Sequence, residues 1–437
     1  MKKPTIGLIN HGCPKNLVDA ELMLGMLSDE GFNITLDEEK SDIIIINTCS
    51  FIHDAEKESV RSILQMAQTG KKLVITGCLP QKYKTELQKE IPEAVAFVGT
   101  SDINKIVSVI NSLLSNNSNQ IFEVSQKPDA FYPENVERAQ ITVGSSSYLK
   151  IAEGCNYKCG YCIIPSLRGP YKSRKIEDIV KEAKWLGDKG VSEIVLIAQD
   201  TSYYGIDIYK KPKLAELLHK LNEIESINWI RVMYTYPSMI NDDLIEAFAD
   251  LDKVVKYIDI PLQHSHPDIL KLMNRPAADY SELIKKLRSK IKGIAIRTTF
   301  IVGYPSETDE QFDHLYNFVK DTKFDKLGVF EYSKEKNTAA YSLKPQITSK
   351  IKKERKNKLM LLQKEISKEI HKSLIGKRLP TIIETVNSDG SATGRTYRDA
   401  PEVDGLVYIE NRKNLIQGDI ELLTIKRSYE YYLYDQK

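Results

Sequence analysis

Short, nearly continuous apolar runs recur in the first part of the chain, at 4–10, 42–48 and 72–77. They are rich in β-branched side chains, which is typical of strands buried on both faces of a parallel sheet. Helical periodicity fills the intervals, from Leu17 to Leu27 and from Ala55 to Met66. The pattern therefore predicts a βαβαβ arrangement with helices on the faces of the sheet.

A second series of apolar runs, again alternating with helical stretches, fills the middle of the chain. The runs are SSYLKIAEG, EIVLIAQD, INWIRVMYTYP, YIDIPLQH, IAIRTTFIVGYP and KLGVFEYS. Six alternating β and α units predict a parallel barrel, complete or partial, whose carboxyl face carries the active site.

The end of the chain has a different pattern. A charged, amphipathic stretch from 351 to about 375 predicts a helix that ends at Gly376 and packs back on the barrel. From Leu379 onward, the short runs TIIETV, GLVYIE, DIELLTI and YEYYLY predict a small antiparallel barrel. The fold class is α/β, with domains expected at 1–115, 141–370 and 371–437 and a polar linker at 116–140.

Charge and hydropathy limit the classes of protein to which the chain is expected to belong. The 62 lysines and arginines nearly balance the 60 aspartates and glutamates, so any contact with nucleic acid is expected to be local. The start of the chain lacks the apolar core of a signal peptide, and no stretch approaches transmembrane length. We therefore expect a cytoplasmic protein without a membrane partner.

Three of the six cysteines lie on one short segment, EGCNYKCGYCIIP. The Cys-x3-Cys-x2-Cys spacing of Cys155, Cys159 and Cys162 places three thiolates on one loop, with no fourth cysteine nearby. Thiolates are the usual ligands of iron-sulfur clusters, and a missing fourth ligand leaves a coordination position for a substrate or cofactor. The spacing predicts a catalytic cluster with one open iron.

The other three cysteines, Cys13, Cys49 and Cys78, each follow a predicted strand. Loops beyond the carboxyl ends of parallel strands converge, so these thiols are expected to be neighbours in space and to form a second three-thiolate site. The alternative is that they are ordinary buried cysteines. Asn16 and Asn47 lie beside them and could support the site, although asparagine near a strand end is more often turn chemistry.

At these residues the chain resembles the radical S-adenosylmethionine methylthiotransferases over nearly its whole length. The cysteine loop, with Tyr161 before its last cysteine, matches the signature of the superfamily, and HGCPKNLVDAE, NTCSFI and TGCLPQKY match the leading domain. CIIPSLRGPYKSR, AQDTSYYG and TGRTYRDAPEVDG are similar to the RimO-like branch, which modifies a ribosomal protein. The last domain resembles a TRAM domain. His11, Ser50 and Ser306 depart from the commoner family pattern.

The resemblance implies two [4Fe-4S] clusters, one on each set of three cysteines, and S-adenosylmethionine as both radical source and methyl donor. It places Gln199, Asp200, Gly303 and Tyr161 in the cofactor-binding site and assigns no catalytic residue beyond the cluster ligands. The implied reaction is methylthiolation of the β-carbon of an aspartate in the twelfth small-subunit ribosomal protein. An electron donor would be a further partner.

Two alternatives stay open at this point. The same chemistry could act on an adenosine in transfer RNA, or the chain could be a non-enzymatic iron-sulfur protein that binds ribosomes. Beyond the cysteine loop lies the basic string SLRGPYKSRK. Its basic residues are expected either on a solvated face or against an acidic group or ligand; they are Arg168, Lys172, Arg174 and Lys175.

Overall fold

The computed structural model describes residues 3–115, 119–130, 132–133, 137–141, 144–410, 412 and 414–436. The chain divides into two compact units. The first contains 1–143, 152–157 and 162–172, and the second contains 144–151, 158–161 and 173–437. Cys155 and Cys162 therefore belong to the first unit and Cys159 to the second.

The first unit is built on one parallel sheet with strand order β2-β1-β3-β4-β5-β6. Its elements are, in chain order, β1 (Thr5–Asn10), α1 (Pro14–Asp29), β2 (Asn33–Thr35), β3 (Ile43–Thr48), α2 (His53–Ala67), β4 (Lys72–Gly77), α3 (Cys78–Tyr83), α4 (Thr85–Glu90), β5 (Ala94–Val98), α5 (Ile106–Leu114) and β6 (Ile121–Glu123).

The apolar runs of the sequence are the central strands of this sheet, and every residue of β3 is buried. The βαβαβ prediction is therefore confirmed. Strand β6, in contrast, lies inside the segment 116–140 that the sequence predicts to be a linker, and it pairs with β5. Its three residues are partly buried, and Phe122 packs against the core of the unit beside Phe97. A strand so short gives no continuous apolar run from which it could be predicted.

Elements from residue 146 to residue 331 follow in this order: β7 (Ser146–Lys150), β8 (Ala152–Glu153), α6 (Ile164–Arg168), β9 (Lys172–Ser173), α7 (Ile176–Asp188), β10 (Glu193–Ile197), α8 (Ile206–Tyr209), α9 (Leu214–Asn222), β11 (Trp229–Val232), α10 (Asp242–Asp250), β12 (Val254–Gln263), α11 (Pro267–Leu272), α12 (Tyr280–Lys290), β13 (Ala295–Val302), α13 (Asp309–Thr322) and β14 (Lys326–Glu331). Strand β8 and helix α6 belong to the first unit.

The second unit contains the predicted barrel strands as a six-stranded parallel sheet with order β14-β13-β12-β11-β10-β7. Strands β7 and β14 are its two edges among the described strands, so the partial barrel is the form observed. All five residues of β10 are buried, as expected for a strand covered on both faces.

The same unit ends with helix α14 (Ser349–Lys372), which packs on β14 and α13. The last six strands are β15 (Arg378–Val386), β16 (Ala392–Thr396), β17 (Leu406–Ile409), β18 (Ile420–Thr424), β19 (Arg427–Ser428) and β20 (Tyr432–Tyr434). The predicted antiparallel domain is confirmed, with one addition: β20 runs parallel to β17. The sequence pattern missed β16, because Gly394 and polar residues interrupt its alternation.

The TGRTYRDAPEVDG segment packs against the amino ends of the barrel strands. Arg395 contacts Glu193, the first residue of β10, and Arg231 lies on the other side of the same carboxylate. Asp404 accepts a hydrogen bond from Tyr257 of β12. The last domain is thus fixed at the amino end of the barrel, and the strand ends that carry the predicted cofactor residues are at the opposite end. No described helix is long and apolar enough to cross a membrane.

Candidate iron-sulfur sites

Three cysteines of the first unit lie at the carboxyl ends of adjacent strands. Cys13 is the residue before α1, Cys49 follows β3, and Cys78 is the first residue of α3, directly after β4. Strands β1, β3 and β4 are neighbours in the sheet. The three loops therefore leave the sheet together, at the carboxyl ends of its strands. We call their cysteines, Cys13, Cys49 and Cys78, the amino-terminal triad.

The triad thiols are close enough to affect one another. Burial raises the pKa of Cys49 to about 12, and the negative charges of Cys78 and Cys13 contribute to the rise. Burial also raises the pKa of Cys78, while the nearby Arg168 opposes this rise. Gly12 permits the close approach, because a Cβ there would lie 2.6 Å from the Cβ of Cys49. Its φ of +103° also favours glycine.

Asparagine side chains join the loops of the triad. The Asn16 amide donates to the backbone oxygens of His11 and Thr48, at 3.1 and 2.9 Å. Its Oδ1 lies 3.8 Å from the Sγ of Cys78. The amide of Asn47 donates to the backbone oxygen of Asn16 at 2.7 Å. These asparagines fix the loop conformation around the thiols, as expected for polar side chains at strand ends.

A buried arginine reaches the same place. Arg168, the last residue of α6, donates to Asp19 on α1 at 2.5 Å and to Glu153 at 3.1 Å, both through Nη1. Its Nη2 donates to Asn16 and lies 3.7 Å from the Sγ of Cys78. For the basic string, the predicted contact with an acidic group is observed at Arg168. Arg174 pairs with Glu182 at 2.6 Å, and Lys172 is exposed and lies 3.5 Å from Asp129.

The donor set of the triad fits an iron-sulfur cluster, since three thiols meet at one sheet edge without a fourth cysteine in the chain beside them. Gly77 lets the backbone before Cys78 pass close to Thr48. Its φ is +93°, and an added Cβ would lie 2.5 Å from the backbone oxygen of Thr48. Within the described ranges, no three His, Cys, Asp or Glu side chains are grouped as for a single metal ion. A cluster of four irons spaces its thiolate ligands more widely than one ion does.

The second set, Cys155, Cys159 and Cys162, is here called the loop triad and lies between β8 and α6. In the first unit, the backbone N–H of Cys155 donates to Gly169 at 3.1 Å. Gly154 precedes it with a φ of +82°, and a Cβ there would collide with the backbone oxygen of Pro170. The glycine therefore lets the loop begin close to the segment that follows α6.

In the second unit, Arg275 and Tyr161 accompany Cys159. The Nη1 of Arg275 lies 4.0 Å from the Sγ of Cys159 and 3.5 Å from the hydroxyl of Tyr161. Its guanidinium also stacks on the ring of Tyr236, 4.4 Å from the centroid. Gly160 is held by backbone hydrogen bonds on both sides, one of them to Met273 at 2.8 Å. These contacts fix the middle of the cysteine loop.

Gln199 and Asp200 follow strand β10, as the sequence predicts. Asp200 is buried, and its Oδ1 accepts hydrogen bonds from the backbone N–H and the hydroxyl of Ser202, at 2.8 and 2.5 Å. This carboxylate oxygen therefore shapes the turn after the strand. Tyr161 contributes its ring to an apolar cluster with Tyr304 and Met273.

Gly303 follows β13 in a tight turn with a φ of +71°. The carboxylate of Glu307 accepts the backbone N–H groups of Gly303 and Tyr304, the latter at 3.0 Å. A Cβ on Gly303 would collide with the side chain of Lys352. His264, at the end of β12, places its Nε2 3.7 Å from Glu307. Lys352 of α14 is therefore the residue that packs closely against Gly303.

Sequence reasoning missed Arg275, Glu307 and the partners of Arg168. Arg275 follows a helix in the segment MNRP, where an arginine has no distinguishing pattern. Glu307 lies four residues after Gly303, so the carboxylate could have been sought as the partner of a turn with open N–H groups. Of the acidic partners of Arg168, Asp19 lies 149 residues away, and Glu153, 15 residues away, has no pattern that marks it as a partner of an arginine.

Three family models match successive parts of the chain. The Radical SAM superfamily matches residues 149–319, and the TRAM domain matches residues 375–436. The model described as uncharacterized protein family UPF0004 matches residues 5–99. Among curated proteins, the ribosomal protein uS12 methylthiotransferase RimO of Caldanaerobacter subterraneus is 49% identical over 98% of both chains. The chain belongs to the uS12 methylthiotransferase family. The RimO protein of Rippkaea orientalis is 45% identical over 97% of this chain and 93% of its own.

Membership of the uS12 methylthiotransferases confirms the predicted enzyme class, a radical S-adenosylmethionine methylthiotransferase. The radical SAM domain supports an iron-sulfur cluster and S-adenosylmethionine as cofactors. The solved methyltransferase TsrM of Kitasatospora setae is similar in fold, with a TM-score of 0.58, 14% identity and coverage of 78% of this chain and 77% of its own. The radical enzyme OxsB, with a TM-score of 0.51 and 11% identity, covers 83% of this chain and 56% of its own.

Proposed function

We propose that this chain methylthiolates the β-carbon of an aspartate in the small-subunit ribosomal protein uS12, with S-adenosylmethionine as radical source and methyl donor. The observation that carries the proposal is the full-length identity of 49% with a uS12 methylthiotransferase, which leaves no domain of either chain unmatched. The balanced charge of the chain is compatible with a protein substrate, since phosphate contacts usually require excess basic side chains.

The two cysteine triads would each hold one [4Fe-4S] cluster. When bound, the cofactors supply the radical that removes hydrogen from an unactivated carbon, and the sulfur with its methyl group. The loop triad has three thiols and no fourth cysteine on the loop, so a cluster held there would have one iron without a protein ligand, to which S-adenosylmethionine would bind. The amino-terminal triad would hold the cluster that provides sulfur. An electron donor outside the chain is required.

Residues around the loop triad would orient the cofactor. Arg275 holds the loop at Cys159 and Tyr161, which keeps the cysteine from turning away. Asp200 and Gln199, at the end of β10, would bind the amino group of S-adenosylmethionine. Gly303 would lie beside its adenosine, with the turn held by the Glu307 carboxylate. These assignments rest on the position of each residue at the carboxyl ends of the barrel strands.

The proposal is tested by mass spectrometry on protein reconstituted and reduced without oxygen. The assay offers S-adenosylmethionine with a peptide that carries the uS12 aspartate loop, and in parallel with purified transfer RNA. We expect a methylthio mass gain on the peptide, at the β-carbon of its aspartate, together with 5′-deoxyadenosine. The RNA should be unchanged.

A peptide with asparagine in place of the target aspartate is the matched control, because it keeps the size of the side chain and removes its charge. It should gain no methylthio group. Methylthioadenosine in the RNA, with an unmodified peptide, would contradict the proposed substrate. Absence of both products despite intact clusters, with no 5′-deoxyadenosine, would contradict the enzyme assignment.

A further inference from the structure

Arg168 is a buried cation that contacts a cysteine of the amino-terminal triad. Its side chain is 3% exposed, and the partner side chains of Asp19 and Glu153 are 6% and 11% exposed. The Nη2 atom lies 3.7 Å from the Sγ of Cys78. The segment that brings this arginine to the triad is the one that follows Cys162 of the loop triad.

The guanidinium is held in one orientation. Nη1 is occupied by the two carboxylates, at 2.5 Å to Asp19 and 3.1 Å to Glu153, while Nη2 donates to Asn16 and faces the sulfur. An arginine fork with several fixed partners loses little further freedom when a charge develops beside it. The two carboxylates also offset the cost of burying the cation.

A fixed charge at this distance acts strongly on an iron-sulfur cluster. The reduction potential of such clusters depends on net charge and on hydrogen bonds to the sulfurs. One-electron reduction adds one negative charge, and a buried cation stabilises that charge far more than an exposed one because the surroundings screen it poorly. Arg168 supplies both a positive charge and an N–H group at the sulfur of Cys78.

We propose that Arg168 sets the reduction potential of the cluster on Cys13, Cys49 and Cys78, and that Asp19 opposes it. The inference rests on the proposed function, in which this triad holds a cluster. Arg168 and Asp19 together adjust how readily the sulfur-providing cluster accepts an electron. Arg168 acts on the cluster through its charge and its hydrogen bond to Cys78, and it makes no covalent bond to the cluster.

Opposite signs are expected for the two partners. Arg168→Gln removes the positive charge while keeping an amide donor, so the potential should become more negative. Arg168→Lys keeps the charge but loses the fork, so its shift should be in the same direction and smaller. Asp19→Asn removes a negative charge that now offsets Arg168, so the potential should become more positive. A purely structural role would not give shifts of opposite sign.

The experiment uses full-length protein in which Cys155, Cys159 and Cys162 are alanine, so that one cluster remains. Each variant is made in this background and reconstituted without oxygen. Dithionite then reduces the cluster stepwise at controlled potential, and the spin signal of the reduced cluster is followed by electron paramagnetic resonance. Arg138→Gln is the matched control, because Arg138 is also buried in the first unit and pairs with Glu21 on α1. Its potential should equal that of the parent.

The outcomes distinguish a failure of the proposed cluster site from a failure of the inference about Arg168. A folded parent protein that binds no cluster contradicts the proposed site itself. A parent with a cluster whose potential is unchanged in Arg168→Gln and Asp19→Asn, or moves the same way in both, overturns the inference about Arg168. If Arg168→Gln does not retain its cluster, Asp19→Asn decides alone: a more positive potential supports the inference, and an unchanged one overturns it.

Discussion

Replacement of Glu193 by glutamine tests the attachment of the last domain to the barrel. Glu193 begins β10 and is fully buried. Its carboxylate lies 2.7 Å from the Nε of Arg231 and 2.5 Å from the Nη2 of Arg395, and it accepts a hydrogen bond from Ser146 at 2.7 Å. Glutamine keeps the shape of the side chain but leaves two buried guanidinium groups without this anion.

Two considerations give the loss of folding free energy expected for Glu193→Gln. Removing one partner of a buried ion pair typically costs about 3–5 kcal/mol, because the remaining charge is left uncompensated. Independently, the two arginines overcome the effect of burial and lower the pKa of Glu193 from its ordinary 4.5 to about 2. A difference of this size corresponds to about 3 kcal/mol of folding free energy at neutral pH. The second value falls at the lower end of the first, so we predict a loss of about 3 kcal/mol in Glu193→Gln.

The pH dependence has a definite sign. Because the folded protein holds this carboxyl ionised to a lower pH than the unfolded chain does, its contribution is complete above pH 4.5. The contribution is lost as the pH falls from 4.5 to about 2. Glu193→Gln should therefore show a weaker loss of stability than the unmodified protein across that interval.

Urea denaturation followed by tryptophan fluorescence is a suitable assay, because both tryptophans, Trp185 and Trp229, lie in the second unit. The matched control is Glu369→Gln. Glu369 pairs with Lys323 at 2.9 Å, but both side chains are more than half exposed, and such pairs contribute about 0–1 kcal/mol. A loss in Glu193→Gln no larger than in this control would refute the reasoning.

Three further changes test other parts of the structure. Gly77→Ala should lose the iron of the amino-terminal triad, because its methyl group would lie 2.5 Å from a backbone oxygen; in an iron assay, Gly70→Ala, with a φ of +71° and open surroundings, should retain it. Burial lowers the pKa of His371 from 6.5 to about 4, so denaturation midpoints should fall as the pH drops through that interval, and His371→Gln should weaken this dependence. Gly160→Ala should slow 5′-deoxyadenosine formation about tenfold or more, since its methyl group would lie 2.7 Å from the hydroxyl of Tyr304.

Local patterns were sufficient to predict most of the fold. The runs that became β3 and β10 are continuous and β-branched because both faces of each strand are covered, so burial is written directly into the residue types. Cys13, Cys49 and Cys78 each follow a strand of the same parallel sheet. This placement was sufficient to predict that they lie close together, because the carboxyl ends of parallel strands are on the same side of the sheet.

Long-range electrostatics could not be predicted in this way. Arg168 and Asp19 are 149 residues apart, and Arg395 and Glu193 are 202 residues apart. Either arginine could have paired with any of the many acidic side chains, since the charge of a residue does not identify which distant residue will lie beside it in the fold. Strand β6 could not be predicted for another reason: it is an edge strand of only three residues, which is too short to give a recognisable apolar run.

The loop triad is assigned to radical formation and the amino-terminal triad to sulfur supply. A comparison of Cys78→Ala with Cys159→Ala tests this assignment most directly. Both 5′-deoxyadenosine and the methylthiolated uS12 peptide are quantified by mass spectrometry after anaerobic reconstitution. We predict that Cys159→Ala forms neither product, whereas Cys78→Ala still forms 5′-deoxyadenosine and leaves the peptide without a methylthio group. Methylthiolated peptide from Cys78→Ala at the rate of the unmodified protein would contradict the account.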